Sequence, residues 1–203
     1  FKNNIGLYTA TLGVSAGLAV AAGVDEAIAV EGLATGPDVV GAVVGLEIEW
    51  YLLRLVQDQL GEENTSLPGL RGTPVATAPV EPGFSYHSET NMDLMQPVLS
   101  ALAQGFGQID LPLRSIENEW GPGQVECTFA ARDALEAADN MVLFRTATKQ
   151  IVRRMGCFAT FMCRPGLKNH YSSGWHLHQS LTEAEGAHHG RGANLFMPAR
   201  AED

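Results

Sequence analysis

The sequence predicts an α+β domain in which a mostly antiparallel sheet carries helices on one side. Three observations support that class. Apolar residues form a dense strand signal over residues 42–53, in which Val43, Val44, Leu46, Ile48, Trp50 and Leu52 figure. Two later segments, near 91–104 and 133–155, repeat their apolar residues at helical spacing. Short apolar runs bounded by Gly and Pro fill the intervals, with no internal repeat or low-complexity array.

Taken in order, residues 1–41 form a variable, Gly/Ala-rich lead-in, and residues 42–203 form the domain proper. Residues 3–24 carry no charge but are punctuated by Gly6, Gly13, Gly17 and Gly23, and the chain opens on Phe1 rather than Met. That stretch predicts a loosely packed helix or two short strands, not a membrane or secretory segment. Residues 61–85 are rich in Gly, Pro, Ser and Thr and predict an extended surface loop. Met92, Met95, Leu99 and Leu102 give the first helix its stripe, and Pro97 is expected near its first regular turn. Strands are expected at 108–113 and, after the Gly121-Pro122-Gly123 break, at 124–129. In the second helix Ala134, Ala138, Val142, Leu143, Ala147 and Ile151 fall near one face, with Lys149, Arg153 and Arg154 at the C-terminal end. Strands at 157–163 and 175–181 follow, then a polar tail with a small apolar anchor at Leu195–Phe196.

The bulk numbers narrow the function. The 203 residues are 45% hydrophobic and 18% charged, which suits a globular chain. A formal net charge of −10 without a basic run argues against a nucleic-acid surface. Cys127, Cys157 and Cys163 lack zinc spacing and read as buried thiols in a reducing compartment, which places the protein in the cytoplasm.

The chemistry lies in acidic and imidazole groups. Glu47 and Glu49 project from the same face of one strand, either as the wet side of an amphipathic strand or as ligands sharing a cation. Glu119 and Glu126 bracket the Gly-Pro-Gly turn, as plain surface acids or as carboxylates at adjacent strand ends facing one cavity. His176 and His178 share a strand face, as satisfied structural histidines or as a ligand and a phosphate contact. Ser172, Ser173 and Gly174, just before them, are placed to offer backbone groups to a small polar ligand. Carboxylate-rich sites with few imidazoles suit Mg²⁺ or Mn²⁺, and no phosphate-binding Gly-rich loop is present. The residues alone reach as far as a divalent-metal enzyme acting on phosphates.

The segments GLEIEWYLL (45–53), NEWGPGQVE (118–126), DALEAADNMVLFRTATKQIVRRMGCFATFMCRP (133–165), SSGWHLHQSL (172–181) and GANLF (192–196), together with the region around Tyr86, resemble the glutamine synthetase family. They run in family order, and the wording around EWGPGQ is closer to the glutamate–amine ligase branch. The resemblance implies a partial glutamine synthetase-like catalytic domain. It implies ATP-dependent formation of a γ-glutamyl amide from glutamate and ammonia or a small amine, through a γ-glutamyl phosphate. It implies that Glu49, Glu119 and Glu126 hold the metal at that phosphate, and that Glu47 and His176 hold the metal over the ATP phosphates. It further implies His178 and Ser180 as nucleotide contacts, Ser172 and Gly174 at the amino-acid substrate, and Tyr86 near the amine or nucleotide. Tyr171-Ser172 stands where glutamine-forming members usually have Asn-Gly, and Trp175 either narrows that pocket or packs beneath the sheet. The resemblance stops at Asp203, before the family's later arginines, flap glutamate and last metal ligand, and includes no N-terminal β-grasp domain. A homo-oligomer is implied for a full-length version. Two other readings compete: a noncatalytic structural or regulatory domain of the same family, and an unrelated two-metal phosphohydrolase.

Overall fold

The computed structural model describes residues 41–57, 61–182 and 196. The expectations for the lead-in and for the polar tail with its GANLF segment fall almost wholly outside these residues. Strand β1 (Gly41–Leu55) is followed by a 3₁₀ turn (Glu62–Asn64), β2 (Thr77–Pro79), α1 (Glu89–Gln108), β3 (Leu113–Asn118) and β4 (Gln124–Phe129). Then come β5 (Arg132–Asp133), α2 (Ala134–Arg154), β6 (Cys157–Thr160) and β7 (Trp175–Thr182). The architecture is α+β with an antiparallel sheet, as the sequence predicts.

The chain divides into two compact units. One comprises Glu47–Thr128 and Phe144–Trp175. In it β1 pairs antiparallel with β4 in the register Glu47↔Thr128, Glu49↔Glu126 and Tyr51↔Gln124, and β3 lies outside β4. Tyr51 also pairs with Thr160 of β6, so β4 and β6 flank opposite edges of β1. Both faces of β1 carry buried side chains here, Ile48, Trp50 and Leu52 on one and Tyr51 and Leu53 on the other. A strand covered on both sides needs this near-continuous apolar run.

Helix α1 starts at Ser88, whose hydroxyl accepts the Asn91 N–H at 3.3 Å. Its first helical residue, Glu89, lies eight residues before Pro97, not near it. Pro97 and Asp93, whose carbonyl loses its intrahelical donor, are both exposed, so water replaces the missing bond. Met95, Val98, Leu99, Leu102 and Phe106 form the buried stripe, and the strand expected at 108–113 begins only at Leu113. In α2 the predicted stripe is displaced. Val142 and Leu143 are about half exposed, whereas Phe144, Thr148 and Val152 are buried. Phe144 meets Phe106 at 5.4 Å and Phe161 at 5.6 Å between ring centres, and these aromatic contacts select the face.

The other unit comprises Phe1–Leu46, Phe129–Leu143 and His176–Asp203. Val43 pairs with Asp133 and Val44 with Arg132. Val44 and Ala137 form a small core joined by Leu46, Ala134 and Leu177. Leu177 points inward while His176 and His178 are exposed, the alternation expected of the HLH segment. No helix among the described residues is long and apolar enough to cross a membrane.

Candidate functional site

The acidic side chains of the larger unit converge because of strand register. Glu49 lies directly opposite Glu126, and like charges in that position repel. Glu47 precedes Glu49 on the same face, and one of its oxygens lies within 4.8 Å of one of Glu126. Glu119 follows the end of β3 and is buried. Glu47, Glu49 and Glu126 are half-buried rather than solvent-facing, so β1 is not simply amphipathic here. Among the described residues, Glu49, Glu119 and Glu126 have no Lys or Arg ion-pair partner.

The electrostatic consequence is legible at Glu126, whose carboxyl is pushed up to about 7, first by burial and then by the charges of Glu119, Glu47 and Glu49. Burial and the Glu49 charge raise Glu119 as well, opposed by hydrogen bonds from the Tyr86 hydroxyl and the Trp120 N–H. Glu119 in turn raises the Tyr86 hydroxyl. The folded protein holds the Glu126 proton more tightly than an unfolded chain, where the carboxyl titrates near 4.5. Stability from this group is therefore complete at low pH and falls as pH rises through 4.5 to about 7. Glu126→Gln in metal-free protein is expected to be about 1 kcal/mol more stable than the parent at pH 8, after allowance for solvent screening. The gain should vanish by pH 4, and denaturant melts at the two pH values check it.

A second network holds the site in shape, and sequence reasoning missed its members. Gln124 is buried and donates to Glu49 Oε2 at 2.8 Å and to the Ser172 carbonyl at 3.3 Å. Its own carbonyl accepts the Gly121 N–H at 2.9 Å. Glu81 is also buried and accepts the backbone N–H groups of Gly83 and Gly123. The turn between them is type II, with Pro122 at its second position, Gly123 at φ +74° and a Gln124 N–H to Gly121 carbonyl bond of 2.9 Å. Gln124 stood inside a motif the sequence already offered; Glu81, in a Gly/Pro-rich loop, had no local signal.

The loop leading to the histidines is docked rather than open. The Gly174 N–H donates to Glu49 Oε2 at 2.8 Å, and its carbonyl accepts the Glu49 N–H at 3.0 Å. The Gly174 N–H and carbonyl are thus both engaged by Glu49. The Tyr51 hydroxyl accepts the Tyr171 N–H at 2.8 Å and donates to the Tyr171 carbonyl at 2.9 Å. Trp175 packs edge-on against Phe161 at 6.3 Å with the Arg145 guanidinium over its ring at 5.4 Å.

Glu47, Glu49, Glu119, Glu126, Tyr86, Ser172 and Gly174 all fall in this unit. His176, His178 and Ser180 fall in the other, spaced by two along β7. Of the cysteines, Cys127 and Cys157 are buried, with the Cys127 thiol pushed up to about 12 by burial, whereas Cys163 is exposed, against expectation.

The family model described as glutamine synthetase, catalytic domain, matches residues 30–200. A γ-glutamylanilide synthase from an Acinetobacter species is 40% identical over 159 residues, covering 78% of this chain and 31% of the relative. A glutamate–isopropylamine ligase from a Pseudomonas species is 31% identical over 108 residues, covering 53% of this chain and 23% of the relative. The crystal structure of a glutamine synthase homolog shares the fold, with a TM-score of 0.59 at 24% identity over 81% of this chain and 32% of its own. The chain spans less than a third of the length of each. With the matched residues taking in every acidic and imidazole group above, the chain belongs to the glutamine synthetase family and carries part of its catalytic domain, on the side of the glutamate–amine ligases.

Proposed function

We propose that the protein carrying this chain is an ATP-dependent ligase that joins the γ-carboxylate of glutamate to ammonia or an amine. The observation that supports it is the carboxylate cluster of Glu47, Glu49, Glu119 and Glu126, in which burial and then the neighbouring charges raise Glu126 to about 7. Oxygen donors crowded this way, with no Lys or Arg partner at three of them among the described residues, fit a hard divalent cation such as Mg²⁺ or Mn²⁺. Glu49, Glu119 and Glu126 would hold one ion. By the family resemblance, Glu47 and His176 would hold another. When bound, such ions neutralise charge on the phosphates during phosphoryl transfer.

In the reaction, an oxygen of the glutamate γ-carboxylate takes the terminal phosphoryl group of ATP, releasing ADP. The amine nitrogen then attacks the carbonyl carbon of the γ-carboxyl group, the bond from that carbon to the phosphate oxygen breaks, and inorganic phosphate and one proton leave. The chain's own contribution is placement. Gln124 and Gly174 fix one oxygen of Glu49, and among the described residues both of those bonds fall on Oε2, which leaves Oε1 for a ligand. Tyr86 and the Trp120 N–H fix Glu119. His178 and Ser180, at alternate positions beyond His176 on β7, are assigned to the nucleotide phosphates, and the Ser172 region to the amino acid. The names of the two relatives, an anilide synthase and an isopropylamine ligase, support amide formation with an amine.

The test is phosphate release by the full-length protein with ATP, glutamate and ammonia or an amine, in Mg²⁺ and after chelation. Release that needs glutamate, amine and metal together is expected. Metal should also raise the melting temperature, since a ligand at about 100 times its Kd stabilises by about 2.7 kcal/mol. Metal binding without any glutamate-dependent turnover would favour the noncatalytic reading.

A further inference from the structure

Three aromatic rings stand exposed beside the carboxylates, where a site for ammonia alone would need none. Phe84 is 47% exposed, Trp120 45% and Tyr171 41%. Phe84 meets Trp120 edge to face at 6.4 Å and Tyr171 at 6.1 Å, so one ring joins the other two. The backbone at Phe84 is held in the left-handed region at φ +60°, a conformation a bulky residue adopts only under constraint. Its N–H is fixed to the Trp120 carbonyl at 2.8 Å, and a Cβ on Gly83 would come within 2.5 Å of the Pro122 nitrogen. The loop is pressed against the Gly-Pro-Gly turn to present this ring.

Each end of the aromatic set is tied to a carboxylate. Trp120 directly follows Glu119 and donates its N–H to that side chain at 3.4 Å. Tyr171 is clamped to Tyr51, and three residues later Gly174 is bonded to Glu49. A ligand with a positive or hydrogen-bonding nitrogen at one end and an apolar body at the other matches this pairing of charge and ring surface.

We propose that Phe84, Trp120 and Tyr171 form the apolar wall of the amine subsite, and that the acceptor is a primary amine bearing an aryl or branched alkyl body rather than ammonia. This rests on the ligase reading above. The nitrogen lies toward Glu119 and the body lies on the rings, where each buried methylene adds about fourfold in affinity.

Two measurements on the full-length protein test it. In steady-state phosphate release, benzylamine or aniline should exceed methylamine and ammonia in kcat/KM by at least about tenfold. Phe84→Ala and Trp120→Ala, both at half-exposed positions, should cut the benzylamine-to-methylamine ratio by at least about fivefold, chiefly through KM. Separately, without ATP, benzylamine should quench tryptophan fluorescence saturably, and Trp120→Phe should remove most of that change. Preference for ammonia with no selective quenching overturns the proposal, as does a ratio unchanged in both variants. Saturable quenching that depends on Trp120, with no turnover on any amine, overturns the ligase reading and supports the subsite.

Discussion

Glu49→Gln is expected to lower amine-dependent turnover by about 10³ while the protein folds normally. The Gln124 and Gly174 donors converge on Oε2 of Glu49, and a Gln carbonyl at the same place accepts both. What Gln lacks is the charge and the second anionic oxygen. It also removes one of two like charges facing each other across β1 and β4 in the Glu49↔Glu126 pair, so stability should hold or rise. Glu49→Ala separates the two roles. It removes the charge and also strands the Gly174 N–H and the Gln124 amide, which costs a further 1–3 kcal/mol or so. In a chain of this size that corresponds to a melting temperature roughly 2–12 °C below the Gln variant. Kinetics and thermal melts of the pair decide the matter. Turnover within threefold of the parent in Glu49→Gln would remove Glu49 from the metal site.

That contrast marks the boundary of what local sequence carries. The period-two placement of Glu47 and Glu49 on one face needs only the strand geometry, and β1 keeps it. The Gly-Pro-Gly break is equally local, because Pro122 and Gly123 specify a type II turn almost by themselves. The bonds that convert these pieces into a site are not local. Glu81 reaches Gly123 across 42 residues and Gln124 reaches Glu49 across 75. Neither side chain has a periodicity that reveals its partner.

Helix α2 shows a different limit. Ala recurs around much of its circumference, so hydrophobic contrast between faces is weak and Val142 and Leu143 look as suitable for the core as Phe144. Phe106 and Phe161 decide the face, and both lie outside the helix. In α1 Pro97 suggested regular turns starting near it, whereas the Ser88 cap sets an earlier start. The protein tolerates Pro97 because its lost hydrogen bond faces water.

Gly123→Ala should destabilise the protein by about 3 kcal/mol, a fall of roughly 6–12 °C in melting temperature. Two costs combine. At φ +74° an L side chain is strained by about 1–2 kcal/mol, and a Cβ there would run into the Leu52 carbonyl oxygen, backbone of the central strand. That strand has little room to yield, because Leu52 N–H already donates to the Gly123 carbonyl at 2.7 Å. Gly156 supplies the control. Its φ of +73° carries the same torsional cost, but a Cβ there meets nothing within 4 Å, so Gly156→Ala should lose only about 1–2 kcal/mol. The two variants differ in their reach as well. Moving Gly123 disturbs its bond to Glu81 and shifts the adjoining Gln124, and with it the Glu49 carboxylate, so turnover should fall along with stability. Gly156 borders neither group and should leave turnover intact below its melting temperature. Equal losses in the two variants would mean that the close approach of the turn to Leu52 contributes nothing, and that the site does not depend on it.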